Sequence, residues 1–163
     1  MKIWLNVLLI TLATTVPAFI LAPIIWPPNT HGGTPTGLQI PLLIVLSALD
    51  ALSLGLGVAF ISYGLPLIRR ITGASRIRTW VCFIATTWLL ISWWPHDHMH
   101  KHNGMELNGL IMIDYLFHGS MMVAGAILAY SLAQALQSAL AAGQTSDLWI
   151  VTERVAIPRE EPR

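Results

Sequence analysis

The chain has 163 residues, 55% of them hydrophobic and 10% charged, with a mean hydropathy of +0.64. A soluble domain carries about a quarter charged residues, so this composition excludes a water-soluble globule, and the length allows one domain of ordinary size. Nine Lys and Arg against eight Asp and Glu leave a formal charge of +1, which offers no basic surface for nucleic acid. The lone Cys82 excludes a disulfide framework and a Cys-based zinc site.

The pattern predicts an all-α integral membrane protein: a bundle of four transmembrane helices with short loops. Four apolar stretches approach or exceed the about 20 residues a helix needs to cross a bilayer, at 3–25, 41–68, 79–94 and 107–136. Barrel strands are shorter and alternate, so helices are the reading these lengths allow. The first span follows Lys2 and carries Pro17 and Pro23. Its small-residue stretch Thr14-Thr15-Val16-Pro17-Ala18 resembles a cleavable secretory signal, yet the apolar run continues to Trp26, so it reads as a retained, kinked span. Pro27-Pro28 and the stretch from His31 through Gly32-Gly33 to Gly37 form a turn-rich loop. The second span holds Asp50 and three glycines, Gly55, Gly57 and Gly64, that permit close helix approach.

Arg69, Arg70, Arg76 and Arg78 crowd the next loop. The third span is the shortest, with Trp80 at one end and Trp93-Trp94 at the other as interfacial anchors. Pro95 is expected to stop it, leaving 95–106 as a loop before the fourth span. The tail 143–163 is mixed in charge, and its 147–157 part suits the membrane surface or a docking partner. The domain reading is therefore a four-helix transmembrane domain over 1–142 and a cytoplasmic tail over 143–163. Lys2, the four loop arginines and Arg154, Arg159 and Arg163 all fall on one side, against Lys101 on the other. The positive-inside rule places both termini in the cytoplasm and the loops 26–40 and 95–106 outside, in a plasma (inner) membrane.

Polar chemistry is gathered between residues 96 and 122. Five of the six histidines lie there, His96, His98, His100, His102 and His118, with every methionine except the initiator: Met99, Met105, Met112, Met121 and Met122. Asp97, Glu106 and Asp114 add three acids. Extended, His96 to His102 would share one side. Helical, they make two i,i+4 pairs, His96/His100 and His98/His102, on faces roughly 160° apart. Either way at least two imidazoles can converge on an ion. Imidazole suits Zn, Cu, Fe and Ni, and thioether adds a preference for Cu(I).

A second constellation lies deeper. Asp114 and His118 stand one turn apart on the fourth span, and Met121 or Met122 continues the stripe. By helical rise His118 lies about 16 Å from Leu107, and Asp50 about 14 Å from Pro41, so the two reach similar depth. A charged Asp at mid-bilayer costs at least roughly 2.5 kcal/mol, which makes such residues functional candidates by default. The plain structural alternative is that Asp50 and His118 bond each other and tie two spans together.

The candidate metal ligands are thus His96, His98, His100, His102, Asp114 and His118, with Asp50, Asp97, Glu106, Met121 and Met122 as additional donors. The leading expectation is a metal-handling membrane protein or an accessory subunit of a membrane metalloenzyme, with copper preferred over zinc or iron. The alternatives are a redox subunit, a metal-free proton relay with the outer histidines as pH sensor, and a purely structural subunit. Haem is disfavoured, because the first three spans supply no histidine to face His118. No nucleophile elbow, P-loop, dinucleotide fingerprint or HExxH motif marks a stand-alone enzyme. Expected partners are the bilayer and other membrane subunits or a second copy.

Overall fold

The computed structural model describes residues 2–27, 29, 35–73, 75–104 and 109–154, with the backbone alone for 142–154. The described residues form four helices and no strands: α1 (Lys2–Ile25), α2 (Gln39–Thr72), α3 (Arg76–Asn103) and α4 (Ile111–Arg154). Three stretches are long and apolar enough to cross a membrane, Lys2–Ile25, Gln39–Thr72 and Ile111–Ala141. α3 is long enough but is not among them, because four tryptophans and a polar last two turns dilute its apolar middle. Residues up to Leu128 form one compact unit and those from Ala129 a second. Within the second, Gln134 Nε2 donates to Tyr130 Oη at 2.6 Å and Ser138 Oγ to the Gln134 carbonyl at 2.9 Å.

The first unit is packed on small side chains. Ala51, Ala59, Cys82, Ala85 and Ser92 are buried, while large apolar residues such as Trp4, Leu8, Ile24, Ile61 and Ile84 face outward. Lipid is as apolar as leucine, so helices in a bilayer associate by close backbone approach at small residues rather than by hiding large ones. α2 is the hub of this arrangement, against α1 on one side and α3 on the other. A Cβ built on Gly55 would stand 2.6 Å from the Thr11 carbonyl oxygen of α1, and one on Gly57 would stand 2.6 Å from Ile91 of α3. Gly55→Ala should therefore cost about 1–3 kcal/mol, since a backbone carbonyl cannot rotate away. Gly119→Ala meets open space and should be nearly neutral. Thermal unfolding of both variants in detergent checks this, and equal behaviour would contradict the close approach.

Side chains finish the connections. Arg78 donates to the Thr72 carbonyl at the end of α2, through Nε at 3.0 Å and through Nη2. Ser75 caps α3 by accepting from the Arg78 amide. α4 meets α3 through long groups: Trp88 Nε1 donates to Ser120 Oγ at 3.0 Å, and the Trp88 ring stacks on Phe117.

The structure corrects the boundary of the third segment. Pro95 does not stop it: α3 runs on for two more turns to Asn103, so the expected histidine loop is helix. A mid-helix proline costs about 3 kcal/mol, a cost the following residues can offset through contacts elsewhere. His96 and His100 reach Asp114, and Lys101 reaches Asp50 on α2. Nearby, Ser53 Oγ of α2 donates to the Leu90 carbonyl of α3 at 2.8 Å, a further tie between the two helices. The stop comes instead at Gly104, whose φ of +61° only glycine adopts readily and whose amide returns to the His100 carbonyl. The end of α3 is held from the other side by Asn29, which donates to the carbonyls of Lys101 and Asn103.

Candidate metal centre

Because residues 96–103 are helical, i,i+4 spacing decides which histidines meet. His96 and His100 share the face turned to α4, and their Nε2 atoms stand 3.2 Å apart. Asp114 and His118, also one turn apart, face them from α4. Asp114 Oδ1 lies 2.8 Å from His100 Nε2 and 3.4 Å from His96 Nε2. One donor atom from each of His96, His100, Asp114 and His118 falls within 4.8 Å of every other. His96 and Asp114 are buried, His100 is intermediate, and His118 stands at the exposed edge.

The hydrogen bonds define the chemistry further. His118 Nδ1 lies 2.9 Å from the Asp114 carbonyl oxygen and 3.3 Å from Asp114 Oδ1, so this nitrogen is the one turned toward the group. Asp114 Oδ1 is buried, and although three imidazole nitrogens surround it, no donor meets it with hydrogen-bonding geometry. A buried carboxylate oxygen facing ring nitrogens off-axis suits atoms that converge on a common point. Beyond the apolar stretch 79–94 of α3, burial pulls the His96 imidazole below its ordinary value, helped by the neighbouring His100 and His118. The neutral imidazole is the form that binds metal.

A second group forms on the opposite side of α3. Asp97 and Lys101, again i,i+4, are ion-paired, and Lys101 Nζ also lies 3.6 Å from Asp50 Oδ2 and donates to Ser47 Oγ at 2.9 Å. His98 joins Asp50 and Asp97 within the same 4.8 Å limit. Its Nδ1 donates to the Trp94 carbonyl at 2.7 Å, and burial lowers its pKa too. With an ammonium already between the two carboxylates, this group carries its own cation.

The candidate ligands therefore divide. The structure brings His96, His100, Asp114 and His118 together, and sets Asp50, Asp97 and His98 apart from them. Asp50 faces Lys101 rather than His118, so the structural alternative of a tie between those two residues gives way to an α2–α3 contact. His102 belongs to neither group: its Nδ1 donates to the Pro27 carbonyl and its ring meets the edge of Trp26. Met121 is buried and Met122 is 75% exposed, and Glu106 lies outside the described residues. Sequence reasoning missed the role of Lys101, counted only as an outer charge. The Asp97–Lys101 spacing signals it once the segment is taken as helix. The chain matches no protein-family model, and neither the curated proteins nor the solved structures contain a match.

Proposed function

We propose that this is a polytopic membrane protein that holds one transition-metal ion between α3 and α4, on His96, His100, Asp114 and His118. The supporting observation is the spacing of the donors. Ligands at the roughly 2.0–2.1 Å typical of zinc stand about 3.3–3.4 Å from one another at tetrahedral angles. The His96–His100 and His96–Asp114 separations of 3.2 and 3.4 Å match that edge, and the His100–Asp114 separation of 2.8 Å would open by about half an ångström on binding. Three imidazoles and a carboxylate suit a divalent ion, zinc(II) or copper(II). The preference for copper drew on the methionines of the same window, of which Met121 is buried three residues beyond His118 on α4.

In this reading α3 crosses the bilayer through its 79–94 stretch. The basic loop between α2 and α3 lies on the cytoplasmic side with both termini, and the metal centre opens outward. The ion would be handled there, as cargo or as the centre of a larger membrane complex. Metal analysis of untagged protein, purified in detergent and washed with a mild chelator, is expected to give one ion per chain. His100→Ala should lower that content severalfold, while His102→Ala should leave it unchanged. Equal loss in both variants, or no ion in the wild type after reconstitution, would refute the assignment.

A further inference from the structure

A cavity of about 570 Å³ lies between α1, α2 and the end of α3, on the side of α3 away from the proposed metal centre. Its volume falls in the range of small-molecule sites, about 300–1,000 Å³. Phe19 and Ile20 of α1 and Leu43 and Ile44 of α2 give it apolar walls, and Ser47, His98 and Lys101 give it one polar side.

The protons on that side select the ligand. Because His98 Nδ1 donates to the Trp94 carbonyl, Nε2 offers only a lone pair. Ser47 Oγ accepts from Lys101 Nζ, which leaves its hydroxyl proton to be given away. Lys101 is opposed by the carboxylates of Asp50 and Asp97, so no positive charge remains to hold an anion. The polar side therefore presents an acceptor at His98 and a donor at Ser47, with the Lys101 ammonium already engaged. A hydroxyl group satisfies the two at once, donating to His98 Nε2 and accepting from Ser47.

We infer that this cavity binds a neutral lipophile with a hydroxyl head, its apolar body against α1 and α2 and its hydroxyl between Ser47 and His98. Alkyl quinols and long-chain alcohols share this chemistry. The inference does not depend on the metal centre, and its test uses no metal.

The test is equilibrium binding of three probes of equal chain length, a decyl-substituted benzoquinol, decanol and decanoate, to the full chain in lipid nanodiscs, with empty nanodiscs subtracted. Saturable binding of the quinol or the alcohol is expected, with decanoate at least ten-fold weaker; the tighter of the two neutral probes identifies the source. Ser47→Ala, which removes one neutral hydrogen bond, should weaken binding about three- to ten-fold. Ile44→Phe, which adds bulk to the wall, should weaken it through the body without regard to the head. No saturable binding, decanoate binding as tightly as the neutral probes, or full affinity in both variants would overturn the inference.

Discussion

Asp114→Asn is expected to weaken metal binding at least about 100-fold while leaving the metal-free protein as stable as wild type, or slightly more so. Losing an outer partner of a ligand typically costs 10–100-fold, and Asp114 is itself proposed as a ligand, so its loss should exceed that range. The opposite sign for the metal-free protein follows from the burial of Oδ1, which has no geometrically sound donor. An amide of the same shape carries no charge to bury and can donate to an imidazole nitrogen. Metal titration and thermal unfolding with and without chelator read both quantities. Were Asp114 instead a structural partner of protonated histidines, the substitution would destabilise the chelated protein and leave metal content unchanged.

Lys101→Met should destabilise the α2–α3 interface by about 3 kcal/mol. It leaves Asp50 and Asp97 facing each other without a counter-ion, and breaking a buried pair costs about 3–5 kcal/mol because an uncompensated charge remains. The low end applies, since the Asp97 side chain is still 34% exposed. The triple variant Asp50→Asn, Asp97→Asn, Lys101→Met removes the charges together and should recover most of the loss. Unfolding in detergent compares the two. Recovery of less than half would show that the ion pairs hold α2 to α3 by more than mutual compensation. Neither variant should alter metal content, because the group lies on the other side of α3 from His96 and His100.

Helix content and the three longest apolar stretches were legible along the chain, because apolar runs of 20 or more residues have few solutions besides a spanning helix. The chemical window was legible for a similar reason: histidines and carboxylates are scarce in such a composition, so their concentration between 96 and 118 stands out. The course of residues 95–103 was not legible. Proline predicts a stop from local backbone geometry, and the contacts that carry α3 past it come from α2 and α4, distant in sequence. Asp50 and His118 show the same limit. Depth along two helices can be counted from rise per residue, but rotation about their axes cannot, and rotation decides that Asp50 meets Lys101.

Composition by itself determined that this chain is helical and apolar beyond what water tolerates, and that its metal-ligating side chains lie in one window. Only the tertiary structure decided which of them converge. A helix spaces its side chains by 100° per residue, so His96 and His100 face α4 while Asp97, His98 and Lys101 turn elsewhere, and one histidine cluster in sequence becomes two separate groups of side chains in space.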